Sequence, residues 1–168
     1  MTLAAYDAKF SNESREVKRL LRLVFLGFFT AGLSINAAHA DCSLSSTSIV
    51  FGTYSVISAV PTDTTGILTY RCGNRDHDIM ISFDTGGAPS FSSRRLVNGS
   101  EQLFYNLYLD AARTVIWGDG TGGTQFYFNH NPQANNQDIE VPIYGRMPPL
   151  QDVGVGAYTN TITVTLNF

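Results

Sequence analysis

An all-β sandwich closed by one disulfide is the fold that this sequence predicts, and three observations predict it. From residue 41 onward, runs of β-branched and aromatic residues are separated by Gly, Asn, Asp and Pro, and no stretch of helical period interrupts them. The chain ends in an unbroken two-residue alternation from Tyr158 to Phe168. Two cysteines, Cys42 and Cys72, follow a segment that reads as an export signal.

That segment comes first, because a targeting sequence takes no part in the mature fold. Arg15, Lys18, Arg19 and Arg22 precede the apolar run Leu23 to Phe29, which fades through Thr30-Ala31-Gly32-Leu33 into Ala38-His39-Ala40. A charged region, an apolar core and a small-x-small site stand in the order that a secretory signal requires, so cleavage is expected after Ala40. The run is shorter than the roughly 20 residues a membrane-spanning helix needs, which argues against an anchor. The part before Val17 is long and acidic for a signal, and translation is expected to begin near residue 17.

Residues 1–40 are therefore read as the signal and residues 41–168 as one ordinary domain. The domain keeps 6 arginines, no lysine and 11 acidic residues, a net charge of 6 − 11 = −5. That sign argues against a phosphate backbone as partner, so no nucleic acid is expected. Beyond the inner membrane the compartment is oxidising, and an even cysteine count there reads as a disulfide, Cys42 to Cys72. A metal pair would need more ligands than His77 and His130 supply.

Strands are expected in chain order at Ser48–Phe51, Gly66–Cys72 and Ile79–Phe83, the last ended by Asp84-Thr85-Gly86-Gly87. Arg95-Leu96-Val97 and Leu103 to Leu109 read as a hairpin about Asn98-Gly99, because glycine supplies the positive φ of a tight turn. Gln125–Phe128 and Glu140–Gly145 follow, with Pro142 suggesting an edge position where a missing N–H does little harm. In the last strand Tyr158, Asn160, Ile162, Val164, Leu166 and Phe168 share one face and the intervening threonines and Asn167 the other. A long regular strand at the end of a chain must be paired on its flanks, or it leaves an edge that invites another chain.

Chemistry is not expected. No G-x-S-x-G, H-E-x-x-H or phosphate-loop pattern occurs, and the chain reads as no enzyme, with no cofactor and no metal site. Asp76-His77-Asp78 reads as a solvated turn, Arg94-Arg95 as a polar strand start, and Gly118 to Gly123 as a turn between strands. Trp117 and Tyr108 are read as core aromatics, with a sugar-stacking patch as the competing possibility.

Several pieces resemble the spore coat protein U domain, which also forms the subunits of archaic chaperone-usher pili. They are Cys42 with Phe51-Gly52, the run Tyr105 to Thr114, Val141-Pro142-Ile143-Tyr144-Gly145-Arg146, and Gly156 to Phe168. The resemblance implies an incomplete immunoglobulin-like β-sandwich lacking its last strand, completed by a strand that a neighbour donates. It implies export to the periplasm, then the cell surface or medium, with a periplasmic chaperone, an outer-membrane usher and other pilus subunits as partners. Ile162, Val164, Leu166 and Phe168 would then wall the acceptor groove, and the Phe168 carboxylate would enter a chaperone's basic cleft. One departure stands out: only Asp41 separates the expected cleavage site from Cys42, where shaft subunits carry a donor segment. The resemblance therefore implies a minor or tip-proximal subunit of a fimbria, the alternatives being a stand-alone coat-like protein or a surface-binding adhesin.

Overall fold

The computed structural model describes residues 4–8, 42–46, 48–73, 78–130 and 136–168. The expected signal and cleavage site within residues 9–41, the turn at Asp76-His77 and residues 131–135 lie outside these. Among the described residues ten strands run in the order β1 (Ala4–Ala8), β2 (Cys42–Ser46), β3 (Thr62–Cys72), β4 (Ile79–Phe83), β5 (Arg95–Asn98), β6 (Glu101–Phe104), β7 (Asn106–Tyr108), β8 (Tyr127–Asn129), β9 (Ile139–Met147) and β10 (Asn160–Asn167). One sheet has the order β1-β10-β4-β8, the other β2-β3-β9-β7, and β5 and β6 form a hairpin beside them. The expected all-β sandwich is what forms.

The two open sheets share one core. Leu68 and Tyr70 of β3 and Val141 and Ile143 of β9 meet Ile79, Ile81 and Phe83 of β4 and Ile162, Val164 and Leu166 of β10, all buried. β4 and β10 bury every second residue, the pattern of one inward and one outward face. Each fully buried aliphatic or aromatic chain contributes about 1.5–3 kcal/mol relative to exposure. Trp117, fully buried, stacks on Phe83 with ring centroids 4.2 Å apart, and its indole N–H donates to the Ile81 carbonyl at 2.9 Å.

The disulfide joins Cys42 to Cys72, register partners at one end of the β2–β3 ladder. The hairpin forms with its loop at Gly99-Ser100 rather than Asn98-Gly99: Asn98 pairs with Glu101, and Gly99, at φ 58°, takes the first loop position. The expected strand Leu103–Leu109 is broken at Tyr105, β6 pairing with β5 while β7 joins β9 in the other sheet, and the strand expected at Gln125–Phe128 forms at Tyr127–Asn129. Two further expectations need correction. No strand forms at Ser48–Phe51; the first strand of the domain is Cys42–Ser46. Ile49 instead plugs the core over Gly66, and Phe51 reaches Gly145 and the Tyr105 ring. Nor is Pro142 on an edge strand, since β9 lies between β3 and β7. Proline is tolerated there because β7 reaches only Tyr144 to Arg146, leaving Pro142 with a neighbour on one side.

One seam between the sheets is closed by the chain itself. Ile116 bridges Tyr108, the Trp117 N–H donates to the Leu107 carbonyl at 2.9 Å, and the Gly118 carbonyl accepts the Phe83 N–H at 3.2 Å. Residues 116–118 thus link β7 of one sheet to β4 of the other.

Candidate strand-acceptor edge

The opposite seam runs along β10, whose two margins differ. On the inner margin Thr159 exchanges both backbone hydrogen bonds with Val97, at 2.8 and 3.0 Å. Thr163 accepts the Asp84 N–H at 3.0 Å, and Val164–Asn167 pair with Phe83–Met80. Backbone groups of successive strand residues point to opposite margins. With Thr159 and Thr163 facing inward, the N–H and C=O groups of Asn160, Ile162, Val164 and Leu166 face outward. Among the described residues, that outer margin meets only β1, which runs parallel to β10 with Ala4 opposite Asn160 and Ala8 opposite Val164. The sequence reading assigned no strand to Ala4–Ala8.

Four residues were expected to wall a groove here. Ile162, Val164 and Leu166 are 0–2% exposed and point into the core between the sheets. Phe168 lies beyond the end of β10 and is 47% exposed, so it is set apart from the other three.

The start of β10 is held by polar contacts that the sequence did not reveal. Asp84 Oδ1 accepts N–H groups from Thr163 at 3.0 Å and from Gly86 at 2.9 Å. Gly86, at φ 62°, presses on β10 so closely that an added Cβ would lie 2.6 Å from both Asn160 and Ile162. Asn160 donates to the Tyr105 hydroxyl at 3.1 Å, and burial pushes that phenol up to about 12.

Arg94, expected to be a polar strand start, is fully buried instead. Its Nε and Nη2 donate to the Asp84 carbonyl at 3.1 and 2.6 Å, its Nη1 donates to Asn106 Oδ1 at 3.1 Å, and its guanidinium lies 5.2 Å from the Phe91 ring centre. The sugar-stacking possibility fails for Trp117, which the core encloses. Asp78 contacts His130 at the surface, while Gly118–Gly123 forms a turn in which Asp119 Oδ1 accepts from the Thr121 N–H and hydroxyl.

A cleft of about 560 Å³ opens next to the start of β10, between Thr53–Ile57 and Val153–Tyr158. Ile57 and Val155 stand exposed at its rim. The aliphatic pair Val56-Ile57 in a loop rich in serine was the one sequence signal for it.

On the outer face of the β3–β9 sheet, Asp63 is held by Arg146 at 2.7 and 2.8 Å and by Arg113 at 3.4 Å. The Arg146 hydrogen bonds, against a smaller cost of burial and helped by the charge of Arg113, hold its carboxyl below the ordinary value. The Tyr105-to-Thr114 run thus places Arg113 in a structural ion cluster.

Two open sheets, one disulfide and a terminal strand whose outer margin no strand among the described residues of 42–168 covers define an incomplete immunoglobulin-like β-sandwich. The chain belongs to the Spore Coat Protein U domain family, whose model matches residues 28–165. It is 31% identical to "Protein U" of Myxococcus xanthus over 131 residues, 70% of each chain. Its fold is similar to a chain in the crystal structure of the CsuC-CsuE chaperone-tip adhesion subunit pre-assembly complex, from the archaic chaperone-usher Csu pili of Acinetobacter baumannii. The TM-score is 0.52 at 17% identity, over 77% of this chain and 40% of that one, so the protein spans less than half of that chain's length.

Proposed function

We propose that this protein is a secreted structural subunit of a chaperone-usher fimbria, minor or tip-proximal, and that it works by accepting a strand along the outer margin of β10. The observation that carries the reading is the source of the strand now at that margin. β1 comes from Ala4–Ala8, far upstream of Cys42, and cleavage after Ala40 would remove it with the leader. The domain would then keep a row of unpaired backbone groups beside buried Ile162, Val164 and Leu166, which an extended chain of two-residue period can satisfy. A periplasmic chaperone would supply that strand first, with the Phe168 carboxylate in its basic cleft. An outer-membrane usher and a neighbouring subunit would follow, carrying the protein from periplasm to cell surface. The fold likeness to a chain of a chaperone-tip subunit pre-assembly complex is in keeping with a chaperone as a partner.

The test is co-expression with a periplasmic chaperone from a chaperone-usher system, followed by affinity capture. The wild-type chain is expected to be recovered with the chaperone, and Val164→Asp, which places a charge on the buried face of β10, is expected to lose it. A processed chain that stays folded and monomeric alone, with the amides of Ile162 and Val164 protected from exchange, would refute the reading. A stand-alone coat protein is the second reading, favoured by the likeness to Protein U, and that same outcome would support it.

A further inference from the structure

The inner margin of β10 is held unevenly along its length. The β4 ladder reaches only Val164–Asn167, and β5 touches only Thr159. Between them lie Asn160 to Thr163, where Asp84 replaces a neighbouring strand. Its N–H donates to the Thr163 carbonyl, and its carboxylate accepts the Thr163 and Gly86 N–H groups.

Asp84 is itself fixed from behind. Arg94 donates twice to its carbonyl and once to Asn106, and Asn106 Nδ2 donates to the Phe91 carbonyl at 3.0 Å. A guanidinium taken fully out of water carries a desolvation cost of several kcal/mol, which is tolerated only when its hydrogen bonds are well placed. Such a cost is spent here on holding one carbonyl in one place. Thr163, so held, and Asn160 and Ile162, against which Gly86 presses, all lie within Asn160–Val164, the stretch that β1 pairs with on the other side.

We infer that Asp84, held by Arg94, is a positioning residue for strand capture. It fixes Thr163 directly and, through Gly86, the backbone beside Asn160 and Ile162, so that the outward backbone groups of Ile162 and Val164 on this stretch are aligned before a strand arrives. This rests on the acceptor reading above and adds to it which side chains keep the margin ready. Pre-organisation of this kind acts on binding because the ordering cost is met before the partner arrives. If loss of the clamp leaves the margin competent about a tenth of the time, apparent capture weakens roughly tenfold.

The experiment uses the processed chain, residues 41–168, whose outer margin β1 no longer covers, and, as probe, a fluorescent synthetic peptide of residues 1–12, which contains β1 and can take its place. Association rates are read for wild type, Asp84→Asn, Asp84→Ala, and whichever of the remote core variants Ile49→Val and Ile49→Ala, at the plug over Gly66, matches the Tm loss of Asp84→Ala. Asparagine keeps the Oδ1 acceptor, so Asp84→Asn is expected within about twofold of wild type while Asp84→Ala captures roughly tenfold more slowly. The remote variant is expected to capture at the wild-type rate. Equal slowing in Asp84→Ala and the remote variant overturns the clamp while leaving the acceptor reading intact. A wild-type chain that captures no peptide overturns the acceptor reading, and the clamp with it. Should Asp84→Ala fail to fold, hydrogen exchange in the wild type decides. The Thr163 amide is expected to exchange more slowly than those of Ile162 and Val164, and equal rates overturn the clamp.

Discussion

Replacing both cysteines by alanine removes a bond whose effect follows from where it sits. Cys42 and Cys72 are register partners at the end of the β2–β3 ladder, 30 residues apart in sequence. Closing a loop of that length lowers the entropy of the unfolded chain by an amount worth about 3.6 kcal/mol at 25 °C in the loop-closure model. That is a large part of the 5–15 kcal/mol that holds a typical domain. A second effect adds to it, because β2 is an edge strand of five residues with β3 as its one ladder partner among the described residues. The chain leaving β2 carries Ile49 to Gly66 and Phe51 to Gly145, so fraying of β2 loosens two core contacts as well. Urea unfolding of the full chain and of the Cys42→Ala/Cys72→Ala variant measures the sum. The midpoint is expected to fall by at least the equivalent of about 3 kcal/mol, with reduced wild type behaving like the variant. A loss below about 1 kcal/mol would show that the unfolded chain is already compact around this loop, and the entropic reasoning would be wrong.

Three further outcomes follow from single sites. Gly86 and Gly87 both have positive φ, but only Gly86 has neighbours that an added Cβ would strike. Gly86→Ala is therefore expected to lower the urea midpoint by the equivalent of about 2–3 kcal/mol and Gly87→Ala by about 1, and equal losses would deny the close approach to β10. Asp63 titrates below its ordinary 3.8 in the folded state, so its contribution is complete above that value and is lost as pH falls through the folded value. The pair is partly exposed, so Asp63→Asn is expected to cost less than about 1 kcal/mol at pH 7 and to flatten acid unfolding below pH 4. Trp117 is the single tryptophan, so emission of the native chain is expected to be blue-shifted, and Trp117→Ala is expected to cost about 3–5 kcal/mol by urea unfolding.

The elements legible in the sequence were those whose signal is local. Alternation from Tyr158 shows which face of β10 is buried, Asn98-Gly99 marks the hairpin, and the cysteine pair closes as compartment chemistry implies. What stayed hidden was decided by contacts distant in sequence. Ser48–Phe51 has strand composition, yet Ile49 and Phe51 serve as plugs over two glycines 17 and 94 residues further along the chain. Pro142 reads as an edge signal, but what counts is how far β7 extends beside it, and no local pattern encodes that. Arg94 has no local sign of burial, because the groups that hold it come from Asp84 and Asn106 on either side.

Alternation reports whether a face is buried and is silent on whether a margin is paired, so the open margin of β10 was legible only through the family resemblance. The rest of the molecule shows how this chain treats a margin it means to close. Residues 116–118 bridge one seam, and the Gln151 side chain imitates a strand beside β6, accepting the Phe104 N–H at 2.7 Å and donating to its carbonyl at 2.9 Å. At β10 the inner margin receives the same treatment from Asp84, while the outer margin receives no group from residues 42–168 among those described. A long apolar-faced margin left open is an aggregation hazard that soluble proteins ordinarily block with charge, proline or a bulge. From Asn160 to Leu166 none of these devices stands on the strand. Introducing one is the sharpest discriminator: Val164→Pro removes an outward N–H, whereas Thr163→Pro removes the inward one bonded to Asp84. If the outer margin exists to be paired by another chain, Val164→Pro is expected to abolish peptide capture at a smaller cost in Tm than Thr163→Pro. The reverse ranking in Tm would mean that the outer margin is part of the fold's own support.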